Sequence, residues 1–239
     1  MTTVLTSASA SIPAHPTSSL IPDRKTDVLA SIIRARIGRP IARALVVGCG
    51  SGREAAALGI ALGTRVVGID VRDRFDAEAS RLVELRRGDA TQLEFDDGAF
   101  DLVYSFHVLE HIPRYRQALS EMRRVLAPGG HYCVGTPNRT RLLGYLGSRT
   151  ATLRDKIAWN LADWRARLRG RFRNEYGAHA GFTRRELSGA LLETFSACDD
   201  ITLAYYAHLY RRRSGVIRML EHSGLSRLVF PAIYFMGSR

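Results

Sequence analysis

Cysteine is scarce. Cys49, Cys133 and Cys198 are the only three in 239 residues, too few and too widely spaced for a disulfide framework or a structural zinc site. They point to a reducing compartment. No apolar run approaches the roughly 20 residues that a membrane span needs. The first 25 residues also lack the basic segment and continuous apolar stretch of a secretory signal, so a cytoplasmic protein is expected. Residues 1–22, rich in Ser, Thr, Pro and Ala, read as a mobile tail or a cover over a cleft. Lysine is nearly missing, with only Lys25 and Lys156, so arginine carries the net charge of +12. The remaining length, residues 23–239, suits one hydrophobic core and one domain.

What is present is most concentrated at Val46-Val47-Gly48-Cys49-Gly50-Ser51-Gly52. Ala44-Leu45-Val46-Val47 is an apolar run without alternation, the pattern of a strand buried on both faces of a parallel sheet. The glycines allow a sharp turn and close approach to a ligand, and Arg53 to Leu58 reads as the helix that follows. Arg65 to Asp70 is a second buried strand whose terminal carboxylate can accept hydrogen bonds from vicinal ribose hydroxyls. The dinucleotide pattern G-x-G-x-x-G puts its third glycine five positions after the first, whereas Gly52 lies four after Gly48. The spacing leans away from a dinucleotide.

Further strands are expected at Glu84–Arg87, Leu102–Phe106 and His131–Gly135, with a helix through Leu119, Met122 and Leu126 before the last of these. Between them stand Gly88-Asp89-Ala90 and His107-Val108-Leu109-Glu110-His111-Ile112-Pro113. With these segments the chain resembles the class I S-adenosylmethionine (SAM) dependent methyltransferases, in particular those with an L-E-H-I segment after the fourth strand. The resemblance implies an α/β, Rossmann-like sheet of seven strands in order 3-2-1-4-5-7-6, the last antiparallel, with helices on both faces. It implies that Gly48, Cys49, Gly50 and Gly52 cradle the methionine half of SAM and that Asp70 holds the ribose. Val71 would pack on adenine, Asp89 and Ala90 would meet its edge, and Phe106 and His107 would lie at the sulfonium end.

His107-Val108-Leu109-Glu110-His111 also matches H-x-x-E-H, a zinc signature of inverted metalloproteases. Pro113 prevents the long helix that such a site requires, so no metal ligands are assigned. The histidines can instead serve methyl transfer, which needs an aligned acceptor and, for a hydroxyl, a base. His111, His107 and His179 are the candidates.

A helix is expected over about Asp27–Ile37, another over Thr183–Phe195 opened by a Thr183/Glu186 capping box, and final strands over Asp199–Ala207 and Phe230–Gly237. Residues 139–182 exceed what the bare fold needs and read as a substrate lid. Within them Leu153, Ile157, Leu161, Trp164 and Leu168 form one apolar helical stripe, with Gly170 at its end. Residues 139–185 hold twelve basic side chains against Asp155, Asp163 and Glu175. That balance suggests an anionic small-molecule or lipid-linked acceptor, or peripheral contact with an anionic membrane, while a solvated basic face packed on the core through its stripe is the plainer alternative. RNA methylation and a non-catalytic SAM-binding scaffold are the competing functions. The chain has no aromatic-basic strip or flipped-base motif for nucleic acid, and the intact glycine turn, Asp70 and Asp89 disfavour a scaffold.

Overall fold

Ala44 and Val46 of β1 (Arg43–Val47) enter one hydrophobic layer, Leu45 and Val47 the opposite one, and all four are buried. That is why this strand is apolar throughout: both faces of the sheet are covered, and each aliphatic side chain so enclosed contributes about 1.5–3 kcal/mol. The computed structural model describes residues 24–145, 151–176 and 179–239, so the expected tail over residues 1–22 lies outside the described residues.

The chain runs α1 (Arg24–Ile37), β1, α2 (Arg53–Leu62), β2 (Arg65–Asp70), α3 (Ala79–Leu82), β3 (Glu84–Arg87) and β4 (Phe100–Phe106). It continues with α4 (Tyr115–Val125), β5 (Leu126–Pro137), α5 (Leu153–Leu168), α6 (Arg184–Thr194), β6 (Asp199–Asp200), α7 (Thr202–Leu209), α8 (Ser214–His222), α9 (Ser226–Val229) and β7 (Ala232–Ser238). The seven strands form one sheet in the order β3-β2-β1-β4-β5-β7-β6. Strands β1 to β5 pair in parallel, and β7 runs antiparallel to both β5 and β6. The expected topology is borne out. The chain leaves β1 toward β2 on one side and reaches β4 on the other, so the carboxyl ends of β1 and β4 flank a crevice of the kind where open α/β sheets hold ligands.

One expected strand is not a strand. Only Asp199–Asp200 joins the sheet, and Thr202–Leu209 is helical. The buried residues there, Thr202, Tyr205, Tyr206 and Leu209, recur at three- and four-residue intervals, which is the period of a helix resting on the sheet. Tyr205 lies against Tyr234 of β7 with ring centroids 4.1 Å apart. The capping box at α6 is present, with the Thr183 hydroxyl accepting from the Glu186 amide and Glu186 accepting from the Thr183 amide.

Helix α5 also departs from expectation. It has its own capping box, Thr152 with Asp155, yet buries no residue. The stripe does not pack on the core: Leu153, Ile157, Leu161, Trp164 and Leu168 are all exposed, Leu168 by 88%. The polar face makes most of the inward contacts, joined from the stripe by the Trp164 indole N–H, which donates to the Leu142 carbonyl (2.8 Å). The Asn160 side chain accepts from the Gly144 amide, Asp163 pairs with Arg141, and Arg167 donates to the Arg141 carbonyl.

Candidate active site

After β1 the backbone turns through Gly48, Gly50 and Gly52, all at positive φ (73°, 56° and 84°), a region that side chains with a Cβ rarely enter. Space forbids a side chain at two of them as well. A Cβ on Gly48 would fall 2.1 Å from a γ-methyl of Val108, and one on Gly52 2.3 Å from a δ-methyl of Leu85. Gly50, by contrast, faces open space. The Gly48 and Cys49 amides both donate to the Ile69 carbonyl, tying the turn to the end of β2. There Asp70 accepts from the Gly50 amide at Oδ2 (2.9 Å) and from the Arg72 amide at Oδ1 (3.0 Å). Each carboxylate oxygen keeps capacity for a further donor. The Cys49 thiol is pushed up to about 12 by burial and by the Asp70 charge, so it stays protonated and acts as a small apolar wall.

Val71, next along, is 61% exposed and has apolar surface to offer a flat ring. The Gly88 amide donates to the Asp70 carbonyl, which brings Asp89 to the same edge. Asp89 takes the amide and hydroxyl of Thr91 on Oδ1, both at 2.8 Å, and these bonds hold its carboxyl below the usual range. Ala90 is buried behind it. Two carboxylates, Asp70 and Asp89, thus flank an exposed apolar residue.

At the end of β4, Phe106 stacks on Tyr234 and His107 takes a left-handed conformation (φ 56°), held by its amide donating to the Gly135 carbonyl. Non-glycine residues in this region persist where the surroundings impose them, and such sites are often functional. A short 3₁₀ turn follows at Leu109–His111. It sinks the Glu110 side chain completely, 3.4 Å from His107 Nδ1 and 4.0 Å from His111 Nε2, with neither carboxylate oxygen accepting a hydrogen bond among the described residues. His179, from the segment after α5, meets His111 edge to face with centroids 4.7 Å apart. Burial and the neighbouring His111 hold His179 below the ordinary imidazole range. All three sequence-nominated histidines therefore gather around one carboxylate.

Beside this cluster lies a cavity of about 680 Å³, walled by Leu109 to Pro113 on one side and by Phe172 to Glu175 on the other. Tyr115, Arg139, Phe182 and Glu186 complete its lining. One loop thus spans two regions: Val108 packs against the glycine turn, and the next five residues line the cavity.

Residues 45–134 match the family described as "Methyltransferase domain". Among curated proteins, the chain is 31% identical over 121 residues to 27-O-demethylrifamycin SV methyltransferase of Amycolatopsis mediterranei, covering 47% of this chain and 43% of that protein. It is 32% identical over 117 residues to demethylmenaquinone methyltransferase of Bacillus cereus, covering 45% and 49% respectively. The structure of an S-adenosylmethionine dependent methyltransferase from Mesorhizobium loti superposes with a TM-score of 0.55 at 18% identity, over 90% of this chain and all of that one. Over residues 45–134 the chain matches a methyltransferase domain, on the fold of S-adenosylmethionine dependent methyltransferases. It spans less than half the length of these curated relatives.

SAM is the cofactor of this methyltransferase domain, and the residues present fit it. Gly50 leaves open the space that a bulky ligand would need, Asp70 has acceptor capacity for ribose hydroxyls, and Val71 and Asp89 offer an apolar cover and a hydrogen-bond acceptor for adenine. Sequence reasoning missed three contributors. Val108 looks like a spacer in H-x-x-E-H but packs against the glycine turn. Glu110 was legible as part of L-E-H-I, although its burial was not. Arg141, 4% exposed, reads in sequence as one more lid arginine, yet it pins the segment that bears His179.

Proposed function

We propose that the domain methylates an oxygen of a small or lipid-linked acceptor held in the cavity beneath residues 139–182, with His107 as the base. The carrying observation is the loop from His107 to Pro113, which touches the cofactor turn at one end and lines the cavity at the other. SAM, when bound, supplies an activated methyl on a positively charged sulfur. The chain's residues do the rest. Asp70 and the glycine turn fix the cofactor, the cavity aligns the acceptor, and His107, its Nδ1 facing Glu110, takes the acceptor proton as the methyl–sulfur bond breaks and the oxygen–carbon bond forms.

The cavity is not a cationic well. Arg139 is already paired with Glu186 at 2.7 Å, and Arg173 shares the lining with the acidic Glu110 and Glu175, while Leu109, Ile112, Pro113, Phe172 and Phe182 provide apolar wall. The positive field belongs to the outer surface instead. Leu153, Ile157, Leu161, Trp164 and Leu168 fall within one arc of α5, exposed, and Arg154, Arg165 and Arg169 lie along one edge of that arc. An apolar strip turned outward and edged with arginine offers an anionic membrane interface both apolar and charged contacts. The protein is accordingly a cytoplasmic enzyme that draws its acceptor from, or at, such a surface. No helix among the described residues is long and apolar enough to cross a membrane. The relatives are named for a demethylrifamycin and a demethylmenaquinone, small molecules rather than nucleic acid.

Two measurements test this reading. The protein should co-sediment with phosphatidylglycerol-containing vesicles but not with phosphatidylcholine alone, and changing Arg154, Arg165, Arg169 and Arg171 to Gln should release it, as should added salt. Arg167 stays, because it stacks on Phe172 and supports Arg141. With methyl-labelled SAM and extract of the producing cell, label should enter the lipid or small-molecule fraction. Label that disappears on nuclease treatment would overturn the assignment.

A further inference from the structure

Glu110 has a fully buried side chain, and neither of its oxygens accepts a hydrogen bond among the described residues. A buried carboxylate left without hydrogen bonds costs several kcal/mol and calls for a positive partner. Three imidazoles stand around it, His107 nearest with Nδ1 at 3.4 Å, followed by His111 and His179. One ligand atom each from Glu110, His111 and His179 lies within 4.8 Å of the others. Tetrahedral ligands at zinc bond lengths of about 2.0–2.2 Å sit roughly 3.4 Å apart, a contraction within reach of side-chain rotation on the two exposed histidines.

We infer that Glu110, His111 and His179 form a binding site for a zinc-class divalent cation that fastens the segment after α5 to the core. Two imidazoles and one carboxylate suit zinc, cobalt or ferrous iron rather than magnesium or calcium, which prefer all-oxygen sets. The ligands are not those of the H-x-x-E-H protease motif. There the two motif histidines share a helix face, whereas here the motif sits on a 3₁₀ turn and His179 takes the place of His107, which remains free for proton transfer. Sequence alone assigns no metal here, because His179 is far along the chain and only the fold brings it to His111. Glu110 and His111 also line the cavity, so a cation held by them would border it. An acceptor hydroxyl bound there would be acidified by the cation. That last use rests on the methyl-transfer reading, and the site itself does not.

The test needs neither acceptor nor turnover. Chelator-treated protein is titrated with Zn²⁺ by calorimetry and with Co²⁺ by visible absorption, and SAM binding is measured on the same preparations. One ion per chain is expected, with a higher melting temperature. His111→Ala and His179→Ala should each weaken binding by about a hundredfold or more, since even outer-sphere partners are worth about 10- to 100-fold. His208→Ala, on the exposed face of α7, should change nothing. Glu110→Gln is expected to lose the metal too. If it does not fold, His179→Ala decides alone, because it leaves the core carboxylate in place. No stoichiometric uptake, or uptake kept by the His111→Ala/His179→Ala double variant, overturns the site. If SAM binding survives that result, the methyl-transfer reading stands without the metal.

Discussion

Arg141→Met is expected to lower stability by about 3–5 kcal/mol, the usual consequence of removing one partner from a buried ion pair. Arg141 is 4% exposed. Its Nη1 donates to the carbonyls of Asn138 (3.1 Å) and Ala180 (3.2 Å), and its Nη2 donates to the His179 carbonyl (3.0 Å) and approaches Asp163 Oδ2 at 3.4 Å. One guanidinium thus joins the end of β5, helix α5 and the segment carrying His179. Methionine fills a similar volume but leaves the Ala180 and His179 carbonyls and the Asp163 carboxylate without the guanidinium, while the Asn138 carbonyl keeps the residue's own backbone amide. Burial already raises the Asp163 carboxyl and Arg141 opposes that rise, so the variant should drive Asp163 toward its protonated form. For a chain of this size the loss corresponds to a fall in melting temperature of roughly 10 °C. SAM affinity should hold, since neither the glycine turn nor Asp70 touches this cluster. Arg141→Met/Asp163→Leu should recover part of the loss, because it no longer leaves the Asp163 carboxylate buried without Arg141. A melting temperature unchanged in the single variant would show that the clamp carries no stability.

His107→Asn is expected to lower kcat by about 10²- to 10⁴-fold while SAM affinity stays within a few-fold, the range for loss of a positioned base. Asparagine is the informative replacement because it tolerates the left-handed backbone at this position (φ 56°), whereas alanine adds strain. His107 directly follows β4, packs edge to face on Phe106 at 4.2 Å, and has Nδ1 3.4 Å from the buried Glu110, an orientation that leaves Nε2 for the acceptor proton. A folded Asn variant with near-normal turnover would remove His107 as the base.

These two residues differ in how far the sequence disclosed them. The sheet order was legible through the family resemblance, and the glycine turn and Asp70 because each depends on local requirements: positive φ and a carboxylate at a strand end. His107 was legible as a candidate because it follows a strand directly. The helix at Thr202–Leu209 was misread as strand because four aromatic and aliphatic residues within eight satisfy either pattern until the buried set is known. The stripe on α5 was open to an inward reading for a deeper reason. Periodicity reveals that a helix has an apolar face but not which way it turns, and here Arg141 recruits the polar face inward through Asp163 and Arg167. Glu110 and His179 meet only through the tertiary fold.

The most direct measurement is calorimetric titration of SAM into the parent protein and into Asp70→Ala. In the parent, one SAM should bind per chain. In the variant, affinity should fall by about 2–3 kcal/mol, or roughly a hundredfold, because the ribose hydroxyls lose an ionised acceptor and the Gly50 and Arg72 amides lose theirs. Absence of binding in the parent, or equal affinity in the two proteins, would contradict the placement of the cofactor and with it the methyl-transfer reading.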